Sequence, residues 1–376
     1  MSPSRRTFLK VVGVAGAGLT LGIVWRVKSG GAPALIADAD FAPNAFLRID
    51  ADGSIRVMVG RSEMGQGIAT ALPQLLAEEL DVDFDQASFE FASAHPEYAN
   101  QMGMQVTGGS TSVMEHWEPL RRAGATARAM LIQAAASQWG VAPGELSTGA
   151  ATVRHPDGRA LGYGELATAA AVLPVPEDVA LKDPSSFRLV GTSVPRLDVP
   201  AKATGCAVFG LDAGPDDARV AVVARCPVFG GRVRSFDATR ARAVPGVLDV
   251  VQIESGVAVV ADGYWPAFKG RAALVVEWDE GGAAGLDDAE IARVLERAVA
   301  DGGGVARDEG DVDGALTEGV PIRAVYTLPY LAHATMEPMN CTALVEDGRC
   351  TVWAPTQFQE GPAMFGGGSR QAAAGA

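Results

Sequence analysis

Two glycine-rich polar segments constrain this chain more than any other feature, because each opens onto a helix. Arg61-Ser62-Glu63-Met64-Gly65-Gln66-Gly67 follows an alternating strand, Ile55, Val57 and Val59, and precedes a stretch with Leu72, Leu75, Leu76 and Leu80 on one helical face. The strand is the second arm of a hairpin turned at Asp50-Ala51-Asp52-Gly53, with Phe46 and Ile49 on the first arm. Pro73 predicts a late helix start, with Thr70 as N-cap and the proline in the first turn, where its missing N–H costs nothing. The second segment, Thr107-Gly108-Gly109-Ser110-Thr111-Ser112, precedes an Ala-rich helical stretch from Val113 to Trp139 with a kink expected at Pro119. Such loops let backbone N–H groups approach an anion, and the hydroxyls of Ser110, Thr111 and Ser112 can add hydrogen bonds to phosphate oxygens. Neither loop has the Walker or dinucleotide glycine spacing, and Gly109-Ser110-Thr111-Ser112 is not a nucleophile elbow. On spacing alone each reads as an ordinary helix cap, and a serine hydrolase is disfavoured.

The 376 residues carry a formal charge of −14, which repels nucleic-acid phosphate and argues against that class of partner. No acidic residue precedes Asp38, whereas Arg5, Arg6, Lys10, Arg26 and Lys28 all do. A twin-arginine pair ahead of the mainly apolar run Val11 to Trp25, with small residues around Ala32, Ala34 and Ala37, reads as a Tat export signal over residues 1–37. The run is shorter than the roughly 20 residues that span a bilayer. The four cysteines, Cys206, Cys226, Cys341 and Cys350, contain no C-x-x-C pair, so an iron–sulfur cluster has to sit on another chain; disulfides and buried thiols both remain open for them. His95, His116, His155 and His333 lack metal-ligand spacing and read as surface or cap residues.

Further along, the prolines between Leu173 and Ser186 suggest a linker, with a new domain beginning near Arg196. Short β-rich runs follow at Val220 to Ala224, Val247 to Ile253, Val257 to Ala261 and Leu274 to Trp278, with helical turns at Ala238 to Ala243 and Trp265 to Ala272. A helix from Asp287 to Ala300, a Gly/Asp-rich connection, and strands at Ile322 to Tyr326 and Thr351 to Ala354 complete the pattern.

Six strings in order carry a resemblance: Glu63 to Gly67, Gln105 to Ser112, Arg196 to Gly205, Ala243 to Val247, Met336-Glu337-Pro338-Met339, and Val352-Trp353-Ala354-Pro355-Thr356-Gln357. Over residues 41 to 360 the chain resembles the molybdopterin-binding large subunit of the xanthine dehydrogenase/aldehyde oxidase superfamily, in the branch of the isoquinoline 1-oxidoreductase beta subunits. The resemblance implies an α+β protein: a Tat segment (1–37), a molybdopterin-binding part (38–190), an α/β hammerhead domain (191–285) and an incomplete start of a second molybdopterin-binding part (286–376). It implies a molybdenum–molybdopterin cofactor in its cytosine dinucleotide form, held by Gly65, Gln66, Gly67, Thr107, Gly108, Gly109, Ser110 and Thr111. Gln357 matches the glutamine that hydrogen-bonds an oxygen on molybdenum. The implied activity is hydroxylation of aldehydes or N-heteroaromatics with water as oxygen donor. Electrons would pass to a small 2Fe-2S subunit and on to a c-type cytochrome, in the periplasm and in association with the membrane.

One departure stands out. The family's further G-G-G-F-G loop and its general-base glutamate lie well beyond the glutamine, whereas here Phe365-Gly366-Gly367-Gly368-Ser369 follows within a few residues and a Gln/Ala/Gly tail ends the chain. The expectation is therefore a chain missing the C-terminal half, with no catalytic residue of its own, and the alternative function is a non-catalytic fragment that at most binds part of the cofactor. Apolar surface is then expected to lie exposed around Tyr326 to Trp353.

Overall fold

The computed structural model describes residues 41–100, 102–361 and 370–373. The segment read as an export signal and the Phe365–Ser369 glycine run lie outside them. Contacts divide the chain into two compact units, one of residues 1–215 with 337–376, the other of residues 216–336. Residues 191–215 thus cluster with the first unit, and the β-rich runs from Val220 onward with the second.

In the first unit, β1 (Phe41–Asn44), β2 (Leu47–Ile49), β3 (Ile55–Val59) and β4 (Ala87–Phe91) form one sheet in that order. The β2–β3 hairpin is found where the sequence placed it: Asp50 N–H donates to Ser54 O, and Gly53 takes a φ of 87°, a left-handed conformation in which glycine meets no Cβ clash. The β3–β4 pair is parallel, and α1 (Ile68–Leu80) crosses between them. The long helix α2 (Ser112–Trp139) packs along α1, followed by a small sheet of β5 (Ser147–Gly149), β6 (Thr152–Arg154) and β7 (Ala160–Gly162), then by α3 (Tyr163–Ala171). Leu47, Ile49, Ile55, Val57, Leu72, Leu76, Leu80, Leu120, Leu131 and Tyr163 make its core. Gly124 sets the helix–helix distance, since a Cβ there would stand 2.5 Å from Leu76 O.

The start of α1 differs from the expectation. Gly67, not Thr70, is the N-cap, and Pro73 lies inside the helix. The early start is made possible from upstream, by the Glu63 carboxylate accepting the Ala69 N–H (2.9 Å), while Thr70 Oγ1 accepts the N–H of Leu197 instead. Pro119 likewise lies within a continuous α2. The proline-rich stretch after α3 is a bound strap, not a free linker. Lys182 Nζ donates to Glu78 Oε1 (3.1 Å) and Asp81 Oδ1 (2.5 Å), and the N–H groups of Arg188, Leu189 and Val190 converge on Glu78 Oε2. A short helix α4 (Val199–Ala203) follows. The unit closes with β13 (Thr342–Glu346), β14 (Arg349–Trp353) and β15 (Arg370–Ala373), the last pairing parallel to β14.

The second unit holds an antiparallel sheet, β10 (Val247–Ile253), β11 (Gly256–Ala261) and β8 (Val220–Ala224), and a two-stranded one, β12 (Val275–Asp279) and β9 (Arg232–Asp237). Its helices are α5 (Thr239–Arg242), α6 (Tyr264–Ala273), α7 (Asp288–Asp301) and α8 (Val312–Glu318). Ala241, Val250, Val257 and Val259 form its core. The expected strand at Ile322 to Tyr326 is not found: among the described residues this stretch has no pairing partner, and an extended run without a neighbour has no ladder to hold it. Val320, Ile322, Val325, Tyr326, Leu328 and Leu331 are each at least 85% exposed, so apolar surface does lie open there. The chain mixes helices with mainly antiparallel sheets. No helix among the described residues is long and apolar enough to cross a membrane.

Candidate functional site

Three segments far apart in sequence meet at Ser62. Its N–H donates to Thr107 Oγ1 (2.9 Å), its hydroxyl donates to Thr356 O (2.6 Å), and its carbonyl accepts from Gln66 Nε2 (2.8 Å). Thr107 and Gln357 then exchange two bonds, Thr107 N–H to Gln357 O at 2.7 Å and Gln357 Nε2 to Thr107 O at 2.8 Å, beside an antiparallel bridge between Val106 and Phe358. The crossing brings Gln357 and the Thr107–Ser112 loop together, although 250 residues separate Thr107 from Gln357. Thr107 is buried; Gln357 is exposed, with its Oε1 and second amide N–H taking no other bond among the described residues.

The two glycine loops present their donors differently. At Gly65 and Gly67 they are occupied: Glu63 Oε1 accepts from Gly65 N–H (2.8 Å) and Gly67 N–H (2.9 Å), and its Oε2 takes Ala69 N–H. Gln66 Oε1 accepts from Met64 N–H, so both ends of that amide staple the loop to itself. Arg196 clamps the outside, donating to Gly65 O (2.9 Å) and Glu63 Oε1 (3.3 Å), while bonds from Arg196, joined by Lys202, hold the Asp198 carboxyl far below the ordinary range. The Glu63 side chain is only 3% exposed. An anion could reach these N–H groups only by displacing it.

At Gly108-Gly109-Ser110 the N–H donors take no acceptor among the described residues, whereas the Thr111 N–H turns back to Gly108 O (3.4 Å). Thr111 is the N-cap of α2 without a side-chain capping bond; its hydroxyl donates back to Gly108 O (3.2 Å), and Ser110 adopts a left-handed φ of 58°. The first-turn N–H groups of a helix have no intrahelical partner, and Gly108, Gly109 and Ser110 are exposed. A Cβ on Gly108 would meet nothing within 4 Å, so a ligand can approach that backbone closely. Glu115, the acidic residue of the first turn, is engaged by Arg61 Nη2 at 3.2 Å. His116, expected as a surface or cap residue, is buried against Phe46 with Nδ1 2.9 Å from Ser112 O; burial and then the Arg61 charge push it down to about 4. His95 and His155 do act as turn caps, each accepting a backbone N–H two residues on.

The residues present fit a phosphate-bearing pterin at the 108–112 loop, which offers open N–H groups at Gly108, Gly109 and Ser110, hydroxyls and steric room beside the Gln357 amide, whereas the Gly65 and Gly67 N–H groups are taken by Glu63. Ser62, Glu63, Arg196 and Gln359 shape this region without having been assigned roles from sequence. A carboxylate a few residues ahead of a helix N-terminus was the available signal for Glu63.

The model of the molybdopterin cofactor-binding domain matches residues 10–212. The chain belongs to that family. The family is one of molybdenum oxidoreductases, as the large-subunit resemblance implied. The beta subunit of isoquinoline 1-oxidoreductase from Brevundimonas diminuta is 33% identical over 312 residues, 73% of this chain and 40% of that protein. The membrane-bound aldehyde dehydrogenase (pyrroloquinoline-quinone) of Gluconacetobacter polyoxogenes is 32% identical across 95% of this chain and 48% of its own length. A nicotinate dehydrogenase subunit from Pseudomonas putida is 31% identical across 83% and 27%. The chain thus spans less than half the length of each of these relatives.

Proposed function

We propose that this chain is the molybdopterin-binding portion of a molybdenum hydroxylase large subunit that acts on aldehydes or N-heteroaromatics, with water as oxygen donor. The observation that carries the reading is the crossing at Ser62, Thr107 and Gln357, which sets an accessible amide next to an uncapped helix N-terminus. Gly108, Gly109, Ser110, Thr111 and Ser112 would hold the phosphate oxygens, and Gln357 would orient the group through its free amide edge. Gly65 and Gly67, whose donors are taken by Glu63, would line the site as a backbone wall stapled by Gln66. When bound, the molybdenum group supplies the centre that accepts the electrons removed from the substrate.

The names of the relatives, isoquinoline, nicotinate and aldehyde oxidising proteins, support the substrate class, and two of them are named as subunits. Placing the 2Fe-2S cluster on a partner subunit rests on the family resemblance and on four cysteines that contain no C-x-x-C pair. Periplasmic location by the Tat route, the cytosine dinucleotide form, a c-type cytochrome acceptor and a hammerhead role for residues 191–285 belong to the same proposal and rest on the family resemblance. A second reading, a chain that binds part of the cofactor without turnover, is favoured by the open apolar stretch from Val320 to Leu331, surface that a catalytic unit working alone would bury.

Purification of the 376-residue chain from a host that makes the cofactor tests both. Near-stoichiometric pterin and molybdenum with no hydroxylase turnover is the expected result. Turnover by the chain alone would remove the second reading, and absence of any pterin, or a bound quinone in its place, would remove the first.

A further inference from the structure

Two residues beyond Gln357, a second glutamine is turned inward. Gln359 is 3% exposed; its Nε2 donates to Ser62 Oγ at 3.0 Å, and its Oε1 has no hydrogen-bond partner among the described residues. Counting protons fixes this orientation. Ser62 has one hydroxyl hydrogen, which goes to Thr356 O, so its oxygen can only accept from residue 359. Turning the amide over would set two lone-pair-bearing oxygens against each other. A buried carbonyl left unpaired is unfavourable, and a methionine of similar length would fill the space without that penalty. Stability alone therefore does not account for an amide here. What the amide does is hold Ser62, the point where the 62–67 loop, Thr107 and the 356–359 segment are tied together.

The geometry points to Gln359 as a positioning residue: its donated hydrogen bond holds Ser62, and Ser62 with Thr107 holds the Gln357 amide beside the 108–112 loop. What that amide is held for rests on the cofactor-binding reading above; the coupling itself does not.

Residue-resolved hydrogen exchange on the full chain tests it, read at the Thr107 N–H that donates to Gln357 O. Gln359→Met is expected to lower protection of that amide at least tenfold while the melting temperature holds or rises. Gln359→Glu supplies a signature that simple space-filling cannot give. A neutral carboxyl can donate to Ser62 Oγ and an ionised one cannot, so protection, corrected for intrinsic exchange, should match wild type at low pH and fall as pH rises through the carboxyl's pKa, which burial raises. Unchanged Thr107 protection in Gln359→Met, or a pH-independent profile in Gln359→Glu, would overturn the inference. Pterin content measured on the same wild-type preparation separates the two claims: loss of protection in the variants with no pterin in the wild type would overturn the cofactor reading and leave the positioning role standing.

Discussion

The loops at Gly65–Gly67 and Gly108–Ser112 share one sequence grammar, glycines followed by a helix, and stand at the N-termini of two helices packed on each other. Their electrostatics are opposite. In the first, a buried carboxylate from the chain itself takes three N–H groups, so the positive end of α1 is already neutralised. In the second, no side chain caps α2, and the only acidic group in its first turn is paired with Arg61. A glycine loop on a helix is thus only half of an anion site; the other half is whether a nearby carboxylate has filled it first.

Removing Glu63 breaks this contrast most severely. Glu63→Ala leaves three N–H groups and part of the Arg196 clamp without a buried acceptor, and should lower unfolding stability by roughly 3 kcal/mol in urea titration. A loss under about 1 kcal/mol would show that water replaces the carboxylate without penalty. The same variant should also let inorganic pyrophosphate bind at the α1 end.

Acid should weaken the open loop next. His116 is held down to about 4 from an ordinary 6.5, so the unfolded chain takes up its proton first as pH falls. Its contribution is fully present above about pH 6.5 and is lost progressively towards pH 4, by up to about 3 kcal/mol. His116→Gln can keep the bond to Ser112 O without titrating. The difference between the two proteins' stability curves over that window should therefore shrink or reverse in acid; parallel curves would contradict it.

The smallest effect sharpens the contrast by copying one loop into the other. Thr111→Asp places a carboxylate at the α2 N-cap, and should stabilise the fold by about 0.5–1 kcal/mol while weakening pyrophosphate binding at least tenfold. Unchanged binding alongside the stabilisation would place the anion elsewhere.

What was legible from sequence followed local pattern. Val220–Ala224 and Val247–Ile253 are strands with the bounds that their β-branched runs gave, and Asp287 caps α7 through Glu290 N–H. β9 escaped because Arg232–Asp237 shows only Val233 and Phe236 as apolar signals. Ile322 to Tyr326 has the composition of a strand and no partner among the described residues, since pairing is decided by distant segments rather than by propensity. The same limit hid the strap: nothing near Lys182 in sequence reveals that Glu78 and Asp81 receive it. At the site, glycines and hydroxyls were readable, and Glu63 fills the first loop through bonds to residues only two to six positions on, but the inward turn of Gln359 arises from a contact across 297 residues.

The central claim is that the anion of the bound group sits at the α2 loop beside Gln357 and not at the α1 loop. Backbone amide shifts in a titration of the isotope-labelled chain with inorganic pyrophosphate test it most directly. Saturable movement of the Gly108, Gly109, Ser110, Thr111 and Ser112 amides, with Gly65, Gly67 and Ala69 unmoved, is the expected result; movement at Gly65, Gly67 and Ala69 with the 108–112 amides still would contradict it.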